Sequence, residues 1–147
     1  MKPFIINILP NDTILTQELK PSFYVEIDGK CCTTEADFHS EVSSKLKFPE
    51  YYGNNLDALF DCLIDLEWIE ERNVILQFVN FEYILSEEKS KDYFLSTLLL
   101  VLSDICSSVE EIKSLEYSEK IMYFFINYNE EAIGIMDELE IKYEFIS

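Results

Sequence analysis

Short apolar runs alternate along this chain with longer segments of helical period, and that alternation restricts its fold. Phe23-Tyr24-Val25-Glu26-Ile27, Val74 to Phe78 and Ile121 to Ile126 are short, rich in β-branched and aromatic residues, and separated by stretches long enough for helices. Strands that are apolar on both faces and joined through helices belong in a parallel sheet, because a helical crossover returns the chain to the same end of the sheet and covers it. The expected fold class is α/β: a small parallel β-sheet layered with helices.

The intervening segments carry start and stop signals. Thr33 or Thr34 can cap a helix whose inward face is Phe38, Val42 and Leu46, and Pro49 stops it. Asn55 then caps a second helix with Leu56, Leu59, Leu63 and Leu66 on one arc. Ser86 to Ser107 supports one long helix or two shorter ones, with Tyr93, Phe94, Leu98, Val101, Leu102 and Ile105 inward. Phe4 to Leu9, between Pro3 and Pro10, reads as a strand or an arm laid on the core. Residues 10–21 read as polar loop, and Asp28-Gly29 as a tight turn after the second run. Asn129 to Glu138 reads as a short helix interrupted at Gly134, and Leu139 to Ile146 as a final strand. At 147 residues the expectation is a single domain over 1–147, large enough to bury about two-thirds of the surface of its unfolded chain.

Charge narrows the function. Against 29 Asp and Glu stand 11 Lys and Arg, a formal charge of −18. The acids number 8, 10 and 11 in residues 1–50, 51–100 and 101–147, so the folded body carries the imbalance rather than a tail. Such a surface repels phosphate backbones and anionic membranes, which speaks against direct nucleic-acid or membrane binding and favours a cationic partner. Cys31, Cys32, Cys62 and Cys106 form no C-x-x-C pair, so free thiols in a reducing compartment are expected. No charged start precedes a sustained apolar stretch, and cytoplasmic residence is the expectation.

Chemistry lacks its usual scaffolds. His39 is the single histidine and has no His or Cys at ligand spacing, so no metal site is expected, and it reads as a surface or boundary residue. There is no G-x-S-x-G, G-x-x-x-x-G-K-[ST] or G-x-G-x-x-G, and only three glycines are available to cradle a phosphate. Carboxylate pairs are abundant, but a pair acts as acid and base only in a cleft that separates the two pKa values. The protein is not expected to be an enzyme or to need a cofactor.

The signal lies between Asn54 and Glu71, which holds six acids and no base. At about 100° per residue, Asp57, Asp61 and Asp65 ride the stripe opposite the leucines. Asp57 in the first turn is favoured by the helix dipole, whereas Asp61 and Asp65 repel their like-charged neighbours at i, i+4, so stability alone does not account for them.

Pro49-Glu50-Tyr51-Tyr52-Gly53-Asn54-Asn55-Leu56-Asp57-Ala58-Leu59-Phe60-Asp61-Cys62-Leu63 resembles the defining segment of the barstar family, intracellular inhibitors of secreted ribonucleases. Val25-Glu26-Ile27-Asp28-Gly29-Lys30 and Phe38-His39 are similar to that family's first strand, turn and first helix. The resemblance spans about 23–126, with terminal additions at 1–22 and 127–147. It implies a three-stranded parallel sheet packed by helices, with the second helix and its preceding loop plugging a nuclease active site. It further implies Asp61 as the central phosphate mimic, Asp57 as its flank, and Tyr51 as a loop aromatic packing on the nuclease. Glu50, Tyr52, Gly53 and Asn55 would shape the loop, with Gly53 placed where φ > 0 is needed, and Asp104 would add an acid from the long helix. Phe60 stands where the family prototype has a tryptophan, keeping apolar area and losing a donor. Tyr51, Tyr52 and Phe60 also admit a plain core reading.

The expected partner is a basic ribonuclease or nuclease toxin, met by a protein that is a monomer when free. The alternative is a structural or adaptor module with a barstar-like body, whose terminal apolar runs make homo-oligomeric or scaffold contacts.

Overall fold

The computed structural model describes residues 2–11, 13, 22–114 and 120–146. The strands are β1 (Ile6–Leu9), β2 (Ser22–Asp28), β3 (Asn73–Val79), β4 (Ile121–Asn127) and β5 (Tyr143–Phe145); the helices are α1 (Glu35–Lys45), α2 (Leu56–Asp65), α3 (Lys91–Ser114) and α4 (Glu130–Glu138). The strands form one sheet in the order β2-β3-β4-β1-β5, and every pairing is parallel.

The register explains the core. Val25, Leu76, Phe124, Ile6 and Tyr143 line up across the sheet, and Ile27, Phe78, Ile126, Ile8 and Phe145 form the next row. Because side chains alternate along a strand, both rows project to the same face. There all but Phe145, which is exposed on the edge strand, meet Phe38 and Val42 of α1, Leu59 and Leu63 of α2, Leu98 and Leu102 of α3, and Ala132 and Met136 of α4 in one cluster. All four helices therefore cover one face while β2, β3, β4 and β5 progress in one direction, the arrangement that right-handed crossovers generate.

The second face is partly polar. Tyr24, Ile75, Tyr123 and Phe125 pack there, and Tyr24 Oη donates to Gln77 Oε1 at 2.7 Å. Gln77 Nε2 donates to Asn127 Oδ1 at 2.8 Å and to the Thr13 carbonyl at 3.1 Å; Asn127 Nδ2 donates to the carbonyls of Pro10 and Thr13. These buried amides are thus satisfied, as burial demands. The loop expected over 10–21 otherwise lies outside the described residues.

β2, β3 and β4 form the three-stranded parallel core that the resemblance implies, and among the described residues the terminal additions widen it by two strands: β1 is inserted between β4 and β5, with the buried Asn7 amide donating to the Phe124 carbonyl at 3.0 Å. Several expectations are corrected. The final strand is only Tyr143–Phe145, because Leu139 caps α4 and Glu140 takes a left-handed φ of 57° that ends the helix. Gly134 does not interrupt α4; the helix runs through it because Ala132 and Met136 anchor both sides in the core. Asp28 caps a short 3-10 turn, Gly29–Cys31, rather than a two-residue turn. Ser86 to Ser107 becomes one helix that starts later, at Lys91. Tyr93 does not face inward but is 76% exposed. The core arc of α3 is filled by Phe94, Leu95, Leu98, Leu99, Leu102, Ile105 and Cys106, and Tyr93 falls outside it.

His39 is also corrected: it is 1% exposed, not a surface or boundary residue. Its ring packs edge-on against Phe38 and Phe94 at centroid distances of 5.3 and 6.2 Å, and Nδ1 lies 2.7 Å from the Tyr52 hydroxyl. An imidazole is accommodated among apolar rings when a hydroxyl meets one of its nitrogens.

Candidate functional site

The loop before α2 is built on a row of aromatic contacts. α1 ends with Lys47 at φ 56°, and the Phe48 N–H donates to the Ser43 carbonyl at 2.9 Å, which turns the chain out of the helix before Pro49. Trp68 Nε1 donates to the Leu46 carbonyl at 2.9 Å, and its ring meets Phe48 edge-on; Phe48 in turn lies 4.8 Å from the Tyr52 ring. Tyr52 is buried and held by His39, which resolves its role as a core anchor. With Tyr52 turned inward, its neighbour Tyr51 is 76% exposed at the loop tip.

Asn55 caps α2 as its sequence position predicts: Oδ1 accepts from the Ala58 N–H at 2.8 Å, and Nδ2 donates to the Gly53 carbonyl at 3.2 Å. The left-handed residue is Asn54, at φ 53°, and not Gly53. Asn supports that conformation because its short polar side chain tolerates it. Gly53 matters for space instead, since a Cβ there would lie 3.2 Å from Asn55 Nδ2.

On α2, Leu59, Cys62 and Leu63 are buried, while Asp57, Asp61 and Asp65 are exposed. Phe60 is half-buried between these faces and packs on the core margin. Asp57, Phe60 and Asp61 line a cleft of about 400 Å³ together with Val101 and Asp104 of α3. Three carboxylates from two helices thus share one cleft with an aromatic ring, and among the described residues no basic side chain lines it. Asp65 shares the stripe but not the cleft. Burial, with Asp61 and Asp65 adding to it, pushes the Cys62 thiol pKa up, so the thiol stays neutral beneath the acids.

Sequence reading missed two supports of this site. Val101 packs on the core margin as its inward reading expects and also lines the cleft, because it sits at the edge of the core arc of α3. The His39–Tyr52 contact joins residues 13 apart in the chain; the only available signal was a lone histidine on an otherwise apolar helix face. Among the described residues no group of three His, Cys, Asp or Glu is placed to hold a metal ion, and no helix is long and apolar enough to cross a membrane.

A parallel sheet covered by helices on one face, with a capped acidic helix beside an exposed loop tyrosine, defines a small α/β protein whose second helix carries exposed carboxylates. The chain belongs to the barstar family: the family model for Barstar (barnase inhibitor) matches residues 22–122. It is similar to a Bacillus subtilis (strain 168) protein named "Putative ribonuclease inhibitor YrdF", with 42% identity over 57 residues, 39% of this chain. The match spans 59% of the length of that relative.

Proposed function

We propose that this protein inhibits a basic ribonuclease or nuclease toxin by inserting the loop around Tyr51 and the acidic face of α2 into its active site. The observation that carries this reading is the cleft that Asp57, Asp61 and Asp104 line together with Phe60. A nuclease site that binds phosphates presents cations where these carboxylates would sit, so Asp61 mimics a phosphate and Asp57 and Asp104 flank it. Tyr51 supplies an exposed aromatic for the rim of the plug, while Gly53 and Asn55 fix how the loop enters α2. The charge of −18 accelerates encounter with a cationic target. The protein acts in the cytoplasm of the cell that makes the nuclease or receives it, without a cofactor and without chemistry of its own. The adaptor reading loses part of its support, since Ile6–Leu9 is buried inside the sheet and is not free for partner contacts.

The test is inhibition of a panel of small cationic ribonucleases, barnase included, by the parent protein, Asp61→Ala and Asp65→Ala. Removing one partner of a desolvated ion pair strands the other at a cost of about 3 kcal/mol or more, which exceeds a hundredfold in affinity. Asp65→Ala, outside the cleft, should chiefly slow association and weaken its salt dependence. Inhibition by Asp61→Ala equal to that of the parent would leave the family fold without the proposed mechanism.

A further inference from the structure

The outward face of α3 is unusual for so charged a protein. Between Asp92 and Asp104 the helix carries no charged residue, although 27% of the chain is Asp, Glu, Lys or Arg. The core takes one arc of this stretch. The opposite arc, which faces solvent, holds Tyr93, Thr97 and Leu100, at spacings of four and three, and then Asp104. Tyr93 is 76% exposed and Leu100 is 39% exposed. The Thr97 hydroxyl is already engaged, donating to the Tyr93 carbonyl at 2.8 Å. An exposed stripe of Tyr and Leu with the charges removed has the composition of an interface centre, where aromatic residues are enriched and Lys and Glu are depleted.

This stripe runs into the acid cleft. Val101, next to Leu100, lines the cleft, and Asp104, one turn on, lies on its wall. From Tyr93 to Leu100 the helix rises about 10 Å, and about 6 Å more to Asp104. We infer that the uncharged face of α3 around Tyr93 and Leu100 is a second arm of the docking surface, occupied by an apolar patch beside the cationic cleft of the same partner. The inference rests on the reading of the acid cleft given above. A second copy of this chain is a poor occupant, because two bodies of charge −18 repel one another when brought together. A cationic partner drawn to Asp57, Asp61 and Asp104 brings its flank over α3 without that opposition. The two arms divide the labour: the carboxylates steer and orient, and the neutral arm slows escape and selects among basic nucleases by the shape of their rim.

The experiment measures association and dissociation rates for the parent protein, Asp61→Ala, and the double variant Tyr93→Ser/Leu100→Ser, against the same panel of cationic ribonucleases at two salt concentrations. The double variant should dissociate about tenfold faster or more. Its association rate and salt dependence should match the parent, because no charge has changed. The conservative pair Tyr93→Phe/Leu100→Met should keep the parent's dissociation rate. Oxidative footprinting of the parent protein reads the same point without any substitution: Tyr93 should become protected on addition of the nuclease. A double variant that dissociates at the parent's rate, or a Tyr93 that stays fully accessible in the complex, overturns the inference while leaving the acid cleft intact if Asp61→Ala is impaired. A parent protein that binds no member of the panel, or an Asp61→Ala variant that binds normally, overturns the acid-cleft reading and this inference with it. Sedimentation showing a dimer of the parent that the double variant breaks assigns the face to a second copy and also overturns the inference.

Discussion

Lowering the pH from 7.5 to 5.5 asks His39 to take up a proton in a site unsuited to a second charge-bearing N–H. Its Nδ1 is engaged with the Tyr52 hydroxyl at 2.7 Å, and its Nε2 is buried with no hydrogen-bond partner among the described residues. From α1 the nearest acid is Glu35, whose Oε1 is 4.0 Å from Nε2 and whose side chain is half exposed; from α3 it meets Phe94, and from the loop, Tyr52. Burial therefore holds the imidazole below its ordinary value of 6.5. The unfolded chain then binds a proton that the folded one refuses, so stability is full above pH 6.5 and falls as the pH drops toward the folded pKa, below which it levels off. Within that window the slope is about 1.4 kcal/mol per pH unit, which for a chain of this size is roughly 4 °C in Tm per unit. Urea and thermal denaturation of the parent and of His39→Gln at pH 7.5, 6.5 and 5.5 make the test, the variant serving as the reference for every other titrating group. The parent should lose stability on acidification and His39→Gln should not. Parallel stability curves for the two proteins would refute the argument that burial of this histidine governs the acid limb.

Three further outcomes follow from local geometry. Gly134→Ala should stabilise the protein by about 1 kcal/mol, because the residue is exposed within α4 and a Cβ there meets nothing within 4 Å; an unchanged or lower Tm would contradict this. Gly29→Ala should destabilise by about 1 to 3 kcal/mol, because its Cβ would lie 2.0 Å from the Asn80 carbonyl oxygen; chemical denaturation reads it directly. Deleting Leu139 to Ser147 removes β5 and the buried Ile141, and opens the edge of β1. It should lower both Tm and solubility, and a deletion variant that melts and dissolves like the parent would show the segment to be dispensable.

The α/β class, the capped second helix and its acidic stripe were legible in the sequence because they depend on short-range rules: strand composition, the 3.6-residue period, and an Asn able to accept the Ala58 N–H. Phe38, Val42 and Leu46 are buried as their spacing predicts, and so are Leu59 and Leu63. The errors cluster where a neighbour distant in sequence decides. Tyr93 and Phe94 are equally apolar in a helical pattern, and only the direction of packing of α3 separates the exposed residue from the buried one. Gly53 and Asn54 both suit a turn, and the left-handed conformation fell to the asparagine.

Local pattern alone was enough for the alternation of strands and helices through the central part of the chain, the sign of the charge, and the arc of α2 on which Asp57, Asp61 and Asp65 stand. Packing in three dimensions set the strand order, with β1 entering between β4 and β5, and the meeting of Asp104 and Val101 of α3 with Asp57, Phe60 and Asp61 of α2. It also decided the burial of His39 against Tyr52. The reason is physical: periodicity fixes how a residue is oriented on its own element, whereas the neighbours of that element are set by how all the apolar faces pack together, which no local pattern encodes.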